Sequence, residues 1–574
     1  MPILNGAEII IRQLERHGIT VIAGIPGGAN LPLYDALAAS TTIRHVLARH
    51  EQGAGFIAQG MARATGAPAV CFATSGLGAT NVLTALADAA MDSVPMVCIT
   101  GQVARPLLGT SAFQEVDICA MARPAVKAVF AVHEAGELAA TVAEALHLAG
   151  SGRPGPVLVD VPKDVQLERI SVADWPEVSF TMAQEPLRED ALQAAVDLID
   201  RAERPMLYLG GGVVRAGGAP AARRLAERGT IPAVMTLMGL GTLPADHPLS
   251  LGLLGMHGAR ATNLAMAECD LLIAVGARFD DRATGLASAF CPLARVLHID
   301  IDPREMGRLR GVEVALVGDA RRVLDKLAER VRPQLRPAWR EHIRRLEAAH
   351  GPCRTDGAVP EGPARLIRRV AELVGPDALI TTDVGKHQMW VAQAYPFSRP
   401  GQLLTSGGLG TMGFGLPAAI GAALACPGRR VVCFSGDGSL QMNIQELATA
   451  VEQQLDLTIV LLNNQSLGLV RQQQRLFYGA RCFASAYPLA VDFAAIARGF
   501  GLRAHDLSGA GQTTDEVLAW ALREPGPCLV NVPIDIDAEV APMVPPGAAN
   551  TLMIGGEENG PGAQREPQAV AAVC

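Results

Sequence analysis

The sequence predicts an α/β protein of three doubly wound parallel-sheet domains, and three observations carry that prediction. A chain of 574 residues is too long for one hydrophobic core, which seldom serves more than about 250 to 300 residues. Three stretches repeat a rhythm of apolar strand, glycine turn, helix and next strand, the pattern of parallel sheets covered by helices on both faces. Glycine and proline are plentiful, at 60 and 38 residues, as tight strand-to-helix turns require.

The first domain is expected over residues 1–175. In it 69-AVCFATSG-76 reads as a strand ending in a turn, 77-LGATNVLTALADAAMDS-93 as a helix and 94-VPMVCITGQ-102 as the next strand. The second, over 185–340, has strands in 205-PMLYLGGG-212, 270-DLLIAVGAR-278 and 295-RVLHIDID-302. The third, over 360–548, has them in 378-ALITTDVG-385, 429-RRVVCFSGDG-438, 457-LTIVLLNN-464 and 528-CLVNVPID-535. Charged helical linkers at 184–205 and 333–357 separate the three. The last stretch, 549–574, ends in polar sequence with Gly and Pro and is expected to be disordered.

Charge and composition exclude several classes of function. The net charge is −8 and no Lys/Arg block occurs, so there is no electrostatic footprint for nucleic acid. No apolar run approaches the roughly 18 residues that span a bilayer, and Glu8 interrupts what would be the core of a signal segment. The eleven cysteines are scattered without metal-ligand spacing and read as thiols of a reducing compartment, which predicts a cytoplasmic protein without membrane association. Of 49 basic residues only Lys127, Lys163, Lys326 and Lys386 are lysines, so each surviving lysine is a candidate for a role that needs a compact ammonium.

The segment 436-GDGSLQMNIQELATAVEQQLDLTIVLLNN-464 carries the most chemistry. A strand delivers Gly-Asp-Gly at its carboxyl end, where open α/β sheets bind ligands, and the next strand delivers Asn463-Asn464 beside it. Asp437 and Asn464 are two hard oxygen donors near helix N-termini whose amides favour phosphate, a seat for Mg²⁺ and a diphosphate. Taken alone, GDG is a turn and NN a strand end; the two at this spacing resemble the thiamine diphosphate signature. That cofactor's chemistry needs a carboxylate against the pyrimidine N1′. In 49-RHEQGAGFIAQGMARATG-66, Glu51 opens an almost uncharged helix. By itself such a glutamate is a dipole-favoured N-terminal residue.

Over essentially its whole length the chain resembles the large subunit of acetohydroxyacid synthase (acetolactate synthase), closest to the enterobacterial isozyme I type. The matching runs include 24-GIPGG-28, 48-ARHEQGAG-55, 113-FQEVD-117, 153-RPGPV-157, 161-VPKDVQ-166, 254-LGMHG-258, 276-GARFDDR-282, 298-HIDID-302, 383-DVGKHQMW-390 and 407-GGLGTMGFGLPAAIG-421. The resemblance implies a thiamine diphosphate, Mg²⁺ and FAD enzyme. It would decarboxylate pyruvate and join the two-carbon unit to pyruvate or 2-oxobutanoate, in valine, leucine and isoleucine biosynthesis.

The resemblance also implies roles for particular residues. Glu51 would meet N1′. Asp437, Asn464 and the Ser466 carbonyl would hold Mg²⁺. Gly385, Lys386 and His387 would meet the diphosphate, Gly410 the aminopyrimidine, Met412 would be the wedge that bends the cofactor, and Gly436, Gly438, Ser439, Gly468 and Leu469 would also contact the cofactor. Gln114, Lys163 and Arg282 are implied in catalysis and Phe113, Met256 and Gln473 on the substrate side. For Arg282 the bland alternative is an ion pair with Asp280 or Asp281. Arg153, Gly212, Thr236, Leu254, His257, Gly276, Arg278, Asp300 and Asp319 would contact FAD, since the middle domain resembles a Rossmann-like flavin domain; 210-GGG-212 is no dinucleotide fingerprint by itself.

Two departures stand out. Lys386 replaces the family's usual Gln, and Gln473 replaces its usual Trp. The resemblance further implies at least a homodimer with the site between two chains, and a separate small regulatory subunit. A pyruvate oxidase-like flavin oxidoreductase is the competing class, since it shares the three domains.

Overall fold

In a computed structural model, residues 3–172, 175–176, 186–353, 362–508 and 513–555 are described. The chain forms two compact units. The first joins Met1–Ala183 to Leu373–Gln388 and Leu404–Ile536, and the second comprises Gln184–Glu372, Met389–Leu403 and Asp537–Cys574.

The first unit contains two six-stranded sheets. In the amino-terminal one the strands lie in the order Arg44–Leu47, Val21–Gly24, Ala69–Ala73, Met96–Gln102, Pro156–Pro162 and Ala128–Ala131, with every pairing parallel. Met96–Gln102 and Pro156–Pro162 are buried at every position, as strands covered on both faces must be, and their apolar runs follow from that. In the carboxyl-terminal sheet the order is Leu403–Leu404, Leu379–Thr382, Val431–Gly436, Leu457–Asn463, Cys528–Pro533 and Arg503–Asp506. The helix expected over 77–93 is two pieces, Leu77–Asn81 and Leu83–Met91. The Thr80 hydroxyl donates back to the Leu77 carbonyl at 3.1 Å, a local bond that competes with the helix ladder.

Two helices tie these sheets together within the unit. Glu51–Thr65 starts at His50, whose ring accepts from the Gln52 N–H at 3.1 Å, and stops at Gly66, which takes the left-handed conformation (φ 76°) that closes helices. It packs along Gly415–Ala425, an all-apolar helix. The second unit holds the third sheet, in the order Ser250–Leu253, Ala233–Met235, Pro205–Leu209, Leu271–Val275, Arg295–Asp300 and Val314–Val317, again parallel. Of the tail predicted from 549, residues 556–574 lie outside the described residues. Ala549 forms a bridge to Gly285, and Ile554 one to Met543.

Candidate active site

Parallel register builds the first cluster. Strands Val431–Gly436 and Leu457–Asn463 pair with Gly436 opposite Leu462, so Asp437 and Asn464 leave the sheet side by side at its carboxyl end. Asp437 is buried and accepts backbone N–H groups that include those of Asn464 and Ser466; burial pushes its carboxyl up to about 6. The Ser466 N–H also donates to the Asn464 side-chain oxygen at 3.2 Å. The Ser466 hydroxyl is buried without a hydrogen-bond partner.

The other candidates for the thiamine cofactor crowd the same place. A Cβ on Gly385 or Gly436 would meet the His387 ring at 2.7 or 2.8 Å. On Gly468 it would meet Asn464 at 2.7 Å and the Lys386 stem at 2.9 Å, and on Gly438 the Tyr487 hydroxyl at 2.7 Å. A side chain at any of these positions would have to displace those groups. His387 is held neutral, since burial pushes it down to about 3, and its Nε2 is buried with no partner. A buried imidazole nitrogen without a partner is costly unless a ligand satisfies it. Lys386 is buried at the head of the helix Lys386–Ala394, its ammonium 3.5 Å from the Ile536 carbonyl. The Ser439 hydroxyl donates to the Val384 carbonyl at 2.7 Å. Half-buried Leu469 follows Gly468 in the helix Gly468–Phe477, which also carries the half-buried Gln473.

These residues fit a Mg²⁺ diphosphate. Among the described residues no group of three His, Cys, Asp or Glu side chains is placed for a metal. The set available here, one carboxylate with amide and carbonyl oxygens, is the hard-oxygen kind that Mg²⁺ takes. Gly410 (φ 68°) is exposed, with only Val384 within 4 Å of a built Cβ. That open floor beside the half-buried Met412 suits a flat ring.

Glu51 is 5% exposed and is the first residue of its helix. Its carboxylate accepts from Asn81 at 3.0 Å, and a Cβ on Gly78 would sit 3.2 Å from its other oxygen. Buried Glu446 accepts the Arg49 and His50 N–H groups at 2.9 and 3.1 Å, which pins the turn just before Glu51. On the same sheet, Gln102 pairs with Pro162, bringing half-buried Lys163 and the segment 113–117 to one end. The Gln102 amide donates to the Val116 carbonyl at 2.9 Å and to Asp160 at 3.0 Å. Gln114 sits in a left-handed turn (φ 60°), and Phe113 is 87% exposed.

In the second unit Met256 and Arg282 are brought together. The Met256 N–H donates to the Arg282 carbonyl at 2.8 Å, and the guanidinium lies 3.4 Å from the Met256 sulfur. The Arg282–Asp281 ion pair is present but loose, at 3.7 Å, with the Arg282 side chain 60% exposed; such a pair contributes little. Most of the flavin candidates line the carboxyl ends of this sheet. The Gly212 N–H donates to the Gly276 carbonyl at 3.0 Å, and Leu254 to Met235 at 3.2 Å. Half-exposed Gly212, Thr236 and Gly276 end or follow three neighbouring strands, with Arg278 two residues on. That end is where an open α/β sheet takes a ligand. Asp300 accepts from the Asp302 N–H at 2.9 Å, and Asp319 caps the helix Ala320–Arg330. Burial pushes His257 down to about 4. Arg153 belongs to the first unit and donates to the Ser93 hydroxyl at 3.0 Å.

Residues that motif reading passed over support these. Asp383, fully buried and pushed up to about 6 by burial, accepts the Gly413 N–H at 2.8 Å. Asp88 and Asp92 hold the loop 406–411. Their signal was available: two carboxylates four residues apart in the otherwise uncharged stretch 83-LTALADAAMD-92.

Comparison with known proteins defines the class first. Residues 4–121, 192–327 and 383–532 match, in turn, the N-terminal TPP binding domain, the central domain and the C-terminal TPP binding domain of thiamine pyrophosphate enzymes. The acetolactate synthase isozyme 1 large subunit of Escherichia coli is 54% identical over 96% of this chain and 98% of its own length. The isozyme 2 large subunit of the same organism is 47% identical over 96% and 99%. The acetolactate synthase large subunit of Corynebacterium glutamicum is 43% identical over 96% and 90%. The chain belongs to the acetolactate synthase large-subunit family of thiamine pyrophosphate enzymes. Its reaction is therefore the thiamine diphosphate-dependent joining of two 2-oxo acids with loss of CO₂, and a flavin oxidoreductase is not favoured. Among the described residues no helix is long and apolar enough to cross a membrane.

Proposed function

We propose that this reaction runs where Asp437, Asn464 and the Ser466 carbonyl hold Mg²⁺, with Gly385, Lys386 and His387 on the diphosphate, Gly410 against the aminopyrimidine and Met412 as the wedge that bends the cofactor. The observation that carries the reading is the meeting of buried Asp437 with Asn464 and Ser466, beside a neutral histidine whose buried Nε2 lacks a partner. Thiamine diphosphate, when bound, supplies the carbon nucleophile and the electron sink that decarboxylation of pyruvate requires.

The protein's own groups hold, orient and screen. Buried Glu51 would meet the pyrimidine N1′ and keep its proton out of water. The His387 imidazole, uncharged and hydrogen-bonded to the Asp383 backbone, would lie against the diphosphate without adding charge, and the Lys386 ammonium would offset it. Arg282, exposed and loosely paired, takes the carboxylate of the second oxo acid through its planar fork. Lys163, Gln114 and Phe113 bound the reacting oxo acids. The second unit holds FAD at its strand ends, without net electron transfer. The working protein is a cytoplasmic homodimer or larger, with a small regulatory subunit.

Gln473 sets the choice of acceptor. An amide lacks the flat apolar face that grips the extra methyl of 2-oxobutanoate, and one methylene in an apolar pocket is worth about 1 to 3 kcal/mol, roughly 10- to 200-fold. The enzyme therefore discriminates poorly and makes chiefly 2-acetolactate. The test supplies the full chain with thiamine diphosphate, Mg²⁺ and FAD, and offers pyruvate and 2-oxobutanoate at equal concentration. The expected products are acetohydroxy acids without oxygen uptake, in a ratio that Gln473→Trp shifts toward 2-aceto-2-hydroxybutanoate. Acetate, acetyl phosphate or peroxide as the main product overturns the carboligase reading. A strong wild-type preference for 2-oxobutanoate that the tryptophan leaves unchanged removes Gln473 from the selection.

A further inference from the structure

The loop from Ser406 to Gly413 has few bonds of its own and is held from outside. Asp92 accepts the N–H groups of Gly407 and Gly408 at 2.9 and 2.8 Å. Asp88 accepts the Ser406 hydroxyl and, at 2.9 Å, the Thr411 hydroxyl. The Ser406 hydroxyl in turn accepts the Thr411 N–H at 2.8 Å. Both carboxylates come from the end of the helix Leu83–Met91 in the amino-terminal sheet's half of the unit. Both meet Arg63, at 2.8 Å from Asp92 and 3.4 Å from Asp88. All three side chains are at most 5% exposed. The guanidinium also lies 5.1 Å from the centre of the Phe414 ring, directly after the loop.

A fold has little reason to bury two carboxyls against one arginine for stability alone, since their desolvation is costly and burial pushes Asp88 up. Hydrogen bonds to a carboxylate are, however, strong and directional, and two backbone N–H groups converging on one carboxylate fix a glycine loop that side-chain packing cannot grip. The next residues are Gly410 and Met412.

We propose that Asp88 and Asp92 are positioning residues for the aminopyrimidine end of thiamine diphosphate, with Arg63 orienting them: they set the loop 406–413 and through it Gly410 and Met412. This rests on the reading that Gly410 meets the aminopyrimidine and Met412 bends the cofactor beside it. The diphosphate seat at Asp437 is not part of the device.

Affinities of the full chain for thiamine diphosphate and for inorganic pyrophosphate, each with Mg²⁺ and measured by calorimetry, test this. In Asp92→Asn the amide must turn its NH₂ toward a backbone N–H of Gly407 or Gly408, and Thr411→Val removes the hydroxyl on Asp88 at nearly constant volume. Each is expected to weaken thiamine diphosphate by roughly ten- to a hundredfold, the worth of a bond to a charged group, with pyrophosphate unchanged. Should Asp92→Asn fail to fold, Thr411→Val decides alone. Gly410→Ala, strained at its positive φ, reports on the underlying reading. If it weakens thiamine diphosphate selectively and the other two do not, the positioning role is wrong and the reading stands. If it has no selective effect, the reading falls and takes the proposal with it. Equal loss of both ligands in Asp92→Asn and Thr411→Val also overturns the proposal, because it marks general damage to the fold.

Discussion

Asp160 shows what a single buried carboxyl does in this protein. It sits near the end of the strand Pro156–Pro162, three residues before Lys163, and accepts from the Thr100 hydroxyl at 2.6 Å and the Gln102 amide at 3.0 Å. Burial pushes it up to about 6, against the hydrogen bonds from Thr100 and Gln102. Below about pH 3.8 folded and unfolded chains both carry the proton, and between there and about 6 only the folded chain does. Stability from this group is therefore greatest in acid, falls as pH rises through that window, and is level above it. A rise of that size corresponds to about 3 kcal/mol. Asp160→Asn removes the linkage, although its amide disturbs the bond from Gln102. The expected result is that wild type loses more melting temperature between about pH 4.5 and 7 than Asp160→Asn does. Identical pH dependence in the two would mean that Asp160 ionises at its ordinary value.

At the scale of elements, the helices Glu51–Thr65 and Gly415–Ala425 approach through reciprocal glycines. A Cβ on Gly60 would strike the Ala418 carbonyl, and one on Gly421 the Ile57 carbonyl. Neither helix is free to retreat, because Glu446 pins the turn before one and Asp383 the N–H of Gly413 before the other. Gly421→Ala sets two effects against each other. Helix propensity alone favours alanine by about 1 kcal/mol, whereas overpacking costs about 1 to 3 kcal/mol. The contact is with backbone, which cannot rotate away, so overpacking wins and the variant is expected to be less stable in a urea titration. A more stable variant would show that the helices are not in close contact there. The sequence makes the individual strands and the Gly-Asp-Gly to Asn-Asn spacing legible, because those depend on local periodicity and on strand order. It leaves Gly421 unexplained, since the atom that excludes a side chain is the Ile57 carbonyl, far away in the chain. For Asp88 and Asp92 the sequence shows two carboxylates in an apolar stretch but not what they hold: their partners are backbone N–H groups and hydroxyls more than three hundred residues on, and no motif encodes such a meeting.

For the whole molecule, the question is whether Glu51 and Asp437 of one chain serve one site. Each is held by its own surroundings, Glu51 by Asn81 and Asp437 by the backbone around Asn464. The first unit also exposes large apolar side chains, among them Phe113 at 87%, Phe483 at 84%, Leu489 at 78% and Tyr478 at 62%. The resemblance to the family implies a second copy, with Glu51 completing the site at Asp437 of the partner subunit. Mixing two dead variants tests it. Glu51→Gln and Asp437→Ala are each expected to be nearly inactive as pure proteins, the first for want of the N1′ partner and the second for want of a Mg²⁺ ligand. If the site is shared, a mixed dimer has one site with both lesions and one with neither. Random reassembly of equal amounts through a twofold interface makes half the dimers mixed, so activity returns to about a quarter of wild type. If both residues of one chain serve the same site, every site carries a lesion and mixing restores nothing. Co-expression followed by an acetolactate assay, with the single variants as baselines, separates the two arrangements without any change in buffer, cofactor or substrate.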